Sequence, residues 1–418
     1  HTRCSRDWSS DVCSSDLGIL DGVRVIEWGD LVSGPWASRL LADMGADVVK
    51  IEEPGSGDYA RRLGPFPKDE KHIEKSGLYL YLNCNKRGIS LDLTRPEGKQ
   101  IFEELVTGAD ILIENHPPSR VEDAGLTYQY LKQLNPQLIM VSISPFGQTG
   151  PYRDFLGSEL VLFQMGGVGY ETPIGDVTDP ERESPLKGPG YQGYFVAGWL
   201  AAASTFLALY HRGNTGEGQH VDISEQEAIA STQRPNVTRF SFAGEVTNRE
   251  GTGIPRFKPC KDGYFAGFGA QGNDPTWKRL CDIMDNPEWT TWDICATQAS
   301  RRENIAELDA MVMAWMMDHT KAELFEMGQR AGLSCFPVND VSDVYTAEQF
   351  QHREFFQEVD HPVAGAFPYP GIPYKLSDQQ PTIRRRSPML GKHNEEIFVN
   401  ELHRTSNDIA LLARAGVI

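Results

Sequence analysis

The chain has 418 residues, of which 40% are hydrophobic and 23% are charged, and its formal net charge at pH 7 is −18. This length and composition predict a globular protein of two or three domains. The acidity argues against general binding to nucleic acids or to anionic membranes. An anionic ligand would therefore need a local cluster of basic side chains.

Residues 1–17 differ from the rest of the chain. They are rich in Ser, Asp and Cys, repeat the string Ser-Ser-Asp, and lack the apolar segment of a signal peptide. The segment does not look native, and we predict that it is a disordered tail outside the fold.

From residue 20 onward, strand-like and helix-like segments alternate. Proline at position 35 suits the first turn of a helix, and Gly45 suits its end. Strands separated by helices of about ten residues are typical of βαβ units, so we predict an α/β fold with a Rossmann-like parallel sheet. The predicted strands cover residues 23–28, 47–51, 111–114 and 138–143, and the predicted helices cover 35–44 and 96–106.

The predicted domain boundaries follow from this alternation. We expect a large domain over residues 18–225, a connection over 226–255, and a smaller α/β domain over 256–350. Residues 351–418 contain a proline-rich stretch, and we predict that they return to complete the large domain.

The seven cysteines are scattered, with neither a Cys-x-x-Cys pair nor a His–Cys cluster at ligand spacing. This pattern predicts reduced thiols, a cytoplasmic location and no metal site. The longest apolar stretch, residues 196–210, is too short to span a bilayer and is predicted to be a buried helix.

Two strings match the pattern Gly-x-Gly-x-x-Gly. Residues 188–193 contain proline and follow no strand, which indicates a loop. Residues 267–272 follow a strand-like segment, as in a dinucleotide-binding fingerprint. Because this second string begins no clear βαβ unit, a tight turn is favoured there.

Four further strings are more specific: Gly-Ala-Asp-Val-Val-Lys-Ile-Glu at 45–52, Asn-Lys-Arg-Gly-Ile-Ser-Leu-Asp-Leu at 85–93, Gly-Gln-Thr-Gly-Pro at 147–151 and Gly-Glu-Gly-Gln at 216–219. Together they resemble the class III CoA-transferases (CaiB/BaiF), the family of formyl-CoA and carnitine CoA-transferases, over nearly the whole chain. The resemblance implies a CoA-binding large domain, an interlaced dimer, and an acyl-CoA and an organic acid as substrates.

The same resemblance implies positions for the ligands. Formyl-CoA transferase has basic residues where this chain has Glu53 and Asp123, and a glutamine where it has Val32, which argues against formyl-CoA as substrate. Local positive charge for CoA is expected at Lys86 and Arg87, with Lys50, Arg61 and Arg384 as further basic candidates. The expected binding positions are Leu31, Val32 and Ser33 along the thioester, and Leu91, Asn115 and His116 along CoA.

The nucleophile is the main departure from the family. By this resemblance, Tyr194 occupies the position of the family's catalytic aspartate. A carboxylate can form the acyl anhydride of CoA transfer, whereas a phenol with a pKa near 10 cannot. Glu159 is the best substitute carboxylate, with a hydrogen-bonding or helix-capping role as its alternative.

Two other functions stay open. The chain could be a non-catalytic CoA-binding subunit that pairs with an aspartate-bearing paralogue. It could also be an acyl-CoA racemase, although the loop at Gln148 and Thr149 lacks the histidine that those enzymes use for proton abstraction.

Overall fold

The computed structural model describes residues 18–173, 177–251 and 256–418. The tail predicted over residues 1–17 lies outside the described residues. The described chain forms two compact units. The first contains residues 18–170, 187–245 and 354–418, and the second contains the described parts of 171–186 and 246–353. These boundaries differ from the predicted ones, which placed 171–186 in the large domain and 226–245 in a connection.

The helices and strands alternate through the first half of the chain. The strands are β1 (Arg24–Trp28), β2 (Asp47–Glu52), β3 (Lys86–Ser90), β4 (Ile111–Glu114), β5 (Ile139–Ser144), β6 (His220–Ser224), β7 (Lys258–Cys260), β8 (Gly263–Ala266), β9 (Phe336–Val338), β10 (Phe356–His361) and β11 (Gly365–Pro370). The helices are α1 (Ser33–Asp43), α2 (Gly77–Leu82), α3 (Pro96–Thr107), α4 (Pro118–Asp123), α5 (Tyr128–Leu134), α6 (Glu159–Met165), α7 (Gln192–Thr215), α8 (Glu225–Ala230), α9 (Arg234–Ala243), α10 (Asp274–Ile283), α11 (Gln298–Glu303), α12 (Ile305–Met316), α13 (Lys321–Arg330), α14 (Val341–Thr346), α15 (Glu348–His352) and α16 (Ser406–Arg414). Short 3-10 helices lie at Tyr59–Arg62, Pro67–Asp69, Ser231–Gln233, Glu288–Thr291 and Asp293–Cys295, and a π-helical turn lies at Glu396–Glu401.

Within the described residues, six strands form one parallel sheet in the order β3-β2-β1-β4-β5-β6. The α/β fold with a Rossmann-like sheet is therefore confirmed. The order runs outward in both directions from the β1–β4 pair. In open sheets of this kind, ligands bind in the crevice where the order reverses, beyond the carboxyl ends of the strands.

Both faces of the sheet are buried, which explains the nearly continuous apolar strands. Val25 of β1 faces a core that it shares with α1 and α7, whereas its neighbour Ile26 faces a core that it shares with α3. Successive side chains of a strand point to opposite faces, so each strand supplies both cores.

Helix α7 is longer than predicted, and its buried face is built mainly from glycine and alanine. A Cβ on Gly198 would lie 2.8 Å from the carbonyl oxygen of Ser33, so only glycine fits where α7 meets the start of α1. By length and composition alone, α7 would be able to cross a membrane. In the structure, its small-residue face packs on α1 and the sheet instead.

The C-terminal segment covers the outer edge of β3. The Gly88 carbonyl accepts a hydrogen bond from the His393 N–H at 2.9 Å, and the Gly88 N–H donates to the His393 Nδ1 at 3.0 Å. The Ser90 N–H donates to the Asn394 side chain at 2.9 Å. Residues 354–418 thus complete the first unit.

The described part of the second unit holds the antiparallel sheet β7-β8-β9 and a core of its own. Residues 267–272, the second glycine-rich string, form a turn after β8. Asp309 accepts a hydrogen bond from the Ala270 N–H at 3.1 Å, and Arg301 donates to the Ala270 carbonyl at 3.0 Å. The Asp309 carboxylate therefore occupies one backbone N–H of the kind that a dinucleotide fingerprint would offer to a phosphate.

Candidate active site

The loops after β1 and β4 lie side by side at the point where the strand order reverses. Asn115, directly after β4, accepts a hydrogen bond from the Asp30 N–H and donates to the Asp30 carbonyl, both at 2.7 Å. Its amide also donates to the Ser33 hydroxyl at 3.1 Å. The side chain predicted to contact CoA therefore holds the β1 loop in place.

This loop has little conformational freedom. Leu31 has a φ of 66°, a left-handed conformation that leucine rarely adopts. Its N–H donates to the Asp58 carboxylate at 2.9 Å, which helps to hold that conformation. A Cβ on Gly34, the next residue but two, would lie only 3.1 Å from the Asn115 carboxamide, so a larger residue there would press on Asn115.

A cavity of about 580 Å³ opens beside these two loops. Of the residues predicted to bind CoA, Leu91 and His116 line it. Strands β1, β2 and β3 end at its wall, as expected for a ligand site in an open parallel sheet. The lining residues are Trp28, Gly29, Asp30, Ile51, Glu52, Glu53, Gly57, Asp58, Leu91, Leu93, Thr94, Arg95, Pro96, Lys99, His116, Arg120, Asp123 and Ala124.

His116 gives the cavity wall a neutral, flat surface. Burial and the charges of Arg120 and Lys50 lower the pKa of His116 to about 3, so its imidazole is uncharged at neutral pH. Its ring lies 4.3 Å from the Trp28 ring, and its Nε2 has no hydrogen-bond partner among the described residues. An aromatic wall of this kind suits a flat heteroaromatic ligand such as adenine.

Charged side chains of both signs surround the cavity. Arg95, Lys99 and Arg120 supply positive charge, and Arg95 is also paired with Asp92 at 3.2 Å. Glu53 and Asp123 lie on the same wall. The basic groups that a phosphorylated ligand would need are thus present, although at positions that we did not predict from the sequence.

Lys86 and Arg87, which were predicted to bind CoA, do not line this cavity. Lys86 is fully buried; its ammonium pairs with Glu27 at 2.8 Å and donates to the Pro35 carbonyl at 2.8 Å. Arg87 pairs with Asp47 at 2.5 Å and with two glutamates of the C-terminal segment. Both side chains balance acidic groups inside the fold and do not line the cavity.

The other basic candidates are structural as well. Lys50 is buried between Glu27 at 2.7 Å and Asp58 at 2.8 Å. Arg61 is buried against Glu52 at 2.6 Å, and Arg384 donates to a carbonyl of α1. Unpaired charges are costly in the interior, so Lys50 and Arg61 compensate acidic side chains there.

The side chains of Leu31, Val32 and Ser33 turn away from this cavity. Leu31 and Val32 pack with Trp36 in an apolar cluster that also includes Tyr194 of α7. The predicted thioester residues and the predicted nucleophile position therefore lie in one neighbourhood, as the resemblance implied.

Glu159 lies at the start of α6 and is almost fully buried. One carboxylate oxygen accepts a hydrogen bond from the Gly193 N–H, and the other accepts from the Tyr194 N–H, both at 3.0 Å. These N–H groups belong to the first turn of α7, where backbone N–H groups have no acceptor within the helix. The Lys187 ammonium lies 3.6 Å away. Glu159 thus caps α7, the role left open as its alternative.

A second carboxyl group lies in the same neighbourhood. Glu225 begins α8 directly after β6 and is 3% exposed. Burial raises the pKa of Glu225 to about 7, and the Glu159 charge adds to the effect. Burial and the charges of Glu225 and Glu159 raise the pKa of Tyr194, so its phenol stays protonated. The sequence analysis had not singled out Glu225.

Comparison with known proteins identifies the family. The model of CoA-transferase family III matches residues 20–394. The chain belongs to this family. It is a CoA-transferase that moves coenzyme A between an acyl-CoA thioester and an organic acid, with CoA as part of the substrate.

Relatives match over nearly the full length. Succinyl-CoA:(R)-benzylsuccinate CoA-transferase subunit BbsE of Thauera aromatica is 32% identical over 94% of this chain and 97% of its own. Succinyl-CoA–D-citramalate CoA-transferase of Chloroflexus aurantiacus is 33% identical over 96% of this chain and 98% of its own. Formyl-CoA:oxalate CoA-transferase of Rhodopseudomonas palustris is 32% identical over 96% of this chain and 97% of its own. A crystal structure of a CaiB/BaiF family protein from Brucella suis superposes with a TM-score of 0.80, at 29% identity over 92% of this chain and 100% of that one.

Proposed function

We propose that this CoA-transferase acts on the thioester of a dicarboxylic acid, and that CoA occupies the cavity where the strand order reverses. The cavity carries the proposal, because it combines a flat aromatic wall at Trp28 and His116 with the cations Arg95, Lys99 and Arg120. CoA pairs a heteroaromatic base with phosphates, and these two parts match the two kinds of surface.

The choice of acid is supported by sequence features. Two of the similar proteins are named for succinyl-CoA. This chain also has Glu53, Asp123 and Val32 where formyl-CoA transferase has two basic residues and a glutamine. Both observations favour a dicarboxylic acyl group over formyl.

The test is a panel of donors, with the CoA esters formed identified by mass spectrometry. Succinyl-CoA or a related dicarboxylic thioester should be consumed with transfer of CoA to an added acid, and formyl-CoA should react at least about tenfold more slowly, a barrier difference of ~1.4 kcal/mol. Turnover with formyl-CoA alone would overturn the choice of acid.

Binding is tested separately by calorimetric titration with CoA. Lys99→Ala should weaken binding about tenfold, since a charge-assisted hydrogen bond contributes ~1.5–3 kcal/mol. Lys132→Ala is the matched control, because Lys132 is an exposed lysine of α5 that does not line the cavity. Equal affinities for the two variants would place CoA elsewhere.

We also propose that the chain works as an interlaced dimer, either with itself or with a paralogue. Helix α7 leaves four large apolar side chains exposed. Such patches are typical of interfaces between subunits. Two similar proteins are named as subunits, which favours a paralogous partner as the alternative. The exposed side chains are Trp199, Leu200, Leu207 and Tyr210.

A cytoplasmic location is a further proposal. The five cysteines of the described residues are all free and buried. Free thiols are the usual state in a reducing compartment. Cell fractionation with a cytoplasmic marker enzyme as control tests it, and recovery in a secreted fraction would contradict it.

A further inference from the structure

We propose that Asp58 is a positioning residue for CoA, because it holds the β1 loop in the backbone conformation that shapes one wall of the ligand cavity. This inference rests on the proposed function, which places CoA in that cavity. Gly29 and Asp30 of the β1 loop line the cavity, and Asp58 lines it from the loop after β2. Asp58 acts on the ligand through the backbone of Leu31.

The two oxygens of the Asp58 carboxylate face different partners. Oδ1 accepts hydrogen bonds from the Leu31 N–H at 2.9 Å and from the Ala60 N–H at 2.7 Å. Oδ2 lies 2.8 Å from the Lys50 ammonium. The Asp58 N–H donates to Glu52 at 2.9 Å, and the residue is only 4% exposed. One oxygen therefore holds backbone and the other faces a cation, in a position that the loop after β2 fixes.

Lys50 holds the other side of the same loop. Its ammonium is fully buried and donates to the Gly29 carbonyl at 2.9 Å and to the Glu27 carboxylate at 2.7 Å. The Gly29 carbonyl belongs to the peptide group before Asp30, and the Leu31 N–H belongs to the peptide group after it. The ion pair of Lys50 and Asp58 thus fixes both peptide groups that flank Asp30.

Leu31 is the residue whose conformation depends on these contacts. Its φ of 66° is sparsely populated for leucine and persists only where the surroundings hold it. The Asp30 carboxylate also accepts the Leu31 N–H, at 3.0 Å, and accepts the Tyr59 N–H at 2.5 Å. Asp30 belongs to the loop itself, however, whereas Asp58 is buried beside Lys50 and holds the loop from outside.

This arrangement requires a carboxylate at position 58. Asparagine has nearly the same shape, but its side chain offers one acceptor oxygen and one donor nitrogen. If the oxygen of an asparagine faced the Leu31 N–H, its amide nitrogen would face the Lys50 ammonium. The opposite orientation would aim the amide nitrogen at the Leu31 N–H. Both orientations set a donor against a donor, so Asp58→Asn should allow Leu31 to leave its left-handed conformation.

The experiment is calorimetric titration with CoA at pH 8. This pH is chosen because burial raises the pKa of Asp58 to about 7, against the effect of the Lys50 charge. Asp58→Asn should weaken CoA binding about tenfold, since the left-handed conformation then loses its support.

Asp309→Asn is the matched control. Asp309 is 2% exposed, and its carboxylate accepts the Ala270 N–H at 3.1 Å and pairs with Lys258 at 3.0 Å, but it does not line the cavity. Urea unfolding should show a loss of stability in this variant as in Asp58→Asn. Its affinity for CoA should remain that of the wild type.

Substitutions of Leu31 test whether Asp58 acts through the loop backbone. Glycine adopts a positive φ without steric cost, so Asp58→Asn in the Leu31→Gly background should weaken CoA binding less than about threefold. Leu31→Val leaves the buried ion pair intact, but a β-branched residue strongly disfavours this φ. Leu31→Val should therefore bind CoA more weakly than Leu31→Gly, although it keeps more of the side chain.

The remaining outcomes separate the two proposals. Wild-type affinity in Asp58→Asn, or an equal loss of affinity in Asp309→Asn, would overturn the positioning role of Asp58. So would a tenfold effect of Asp58→Asn that persists in the Leu31→Gly background, or tighter binding by Leu31→Val than by Leu31→Gly. A wild-type protein that binds no CoA would overturn the proposed function itself.

Discussion

Asn115 illustrates how a single side chain determines the shape of the ligand loops. It makes three hydrogen bonds to the residues that follow β1. Its removal leaves the Asp30 N–H and carbonyl without those partners, and losing each such bond costs about 1 kcal/mol. The geometry of the β1 loop therefore depends on a residue of a different loop.

We expect Asn115→Ala to destabilise the protein by ~1–3 kcal/mol and to weaken CoA binding. Urea unfolding and calorimetric titration measure the two effects. Asn214→Ala, at an exposed asparagine near the end of α7, is the control and should change neither. Weaker binding with unchanged stability would show instead that Asn115 acts as a direct CoA ligand, as the resemblance implied.

Glu114 is a buried carboxyl with an electrostatic cost. Burial raises the pKa of Glu114 to about 7, although one of its carboxyl oxygens accepts a hydrogen bond from the His116 N–H at 2.8 Å. Between pH 4.5 and 7 the folded protein therefore binds this proton more tightly than the unfolded chain does. By linkage, the contribution of Glu114 to stability falls as pH rises through that window.

The prediction is that Glu114→Gln removes this part of the pH dependence. From pH 4.5 to pH 8, the stability of the variant relative to wild type should rise by ~3 kcal/mol, at ~1.4 kcal/mol for each unit of pKa shift. Urea unfolding at a series of pH values measures the difference. Other groups with a raised pKa, such as Asp58, are present in both proteins, so their contributions cancel in the difference between the two stabilities. If the stabilities of variant and wild type changed with pH in parallel, the raised pKa of Glu114 would be contradicted.

At the scale of elements, the N-terminus of α7 depends on a neighbouring helix. The Tyr191 side chain, at the residue before α7, makes no capping hydrogen bond, and Glu159 of α6 caps the helix instead. Losing a capping side chain typically costs 0.5–2 kcal/mol. Glu159 also offers a negative charge to the positive end of the helix.

Glu159→Ala should therefore destabilise the start of α7 by about 1–2 kcal/mol and reduce turnover through misplacement of that turn. Hydrogen exchange should accelerate at residues 193–197 and stay unchanged near residue 210. Glu181→Ala, at an exposed glutamate, is the control. Loss of turnover with unchanged exchange would point to a chemical role for Glu159 instead.

The elements themselves were largely predictable. Buried parallel strands such as β4 and β5 are short apolar runs, and helices such as α1 carry their own start and stop residues. The orientation of Lys86 and Arg87 was not predictable, because their acidic partners come from β1 and from the C-terminal segment. The burial of Glu225 was missed because it results from the packing of α8 against α6 and α7, which the local sequence does not show.

For the molecule as a whole, subunit association is the property most open to test. Leu207 and Tyr210 of α7 are 73% and 76% exposed. If the dimer covers this face, Leu207→Glu should shift the protein toward monomer in light scattering, because a buried charge without a partner is costly. Leu411→Glu, at an exposed leucine of α16, should leave the mass unchanged. Dimers of equal stability in both variants would place the interface elsewhere.

The return of the C-terminal segment to β3 also governs the order in which the chain can fold during its synthesis. The ribosome makes β3 and the other sheet strands first, then residues 246–353, and last the segment that covers the edge of β3. Domains generally fold as units as they emerge, so the second unit can fold while the first still has an open strand edge. Unpaired edges invite pairing with other chains. A nascent chain stalled near residue 353 should therefore bind chaperones and be cleaved by proteases within the first unit, and release of the last 65 residues, 354–418, should end that vulnerability.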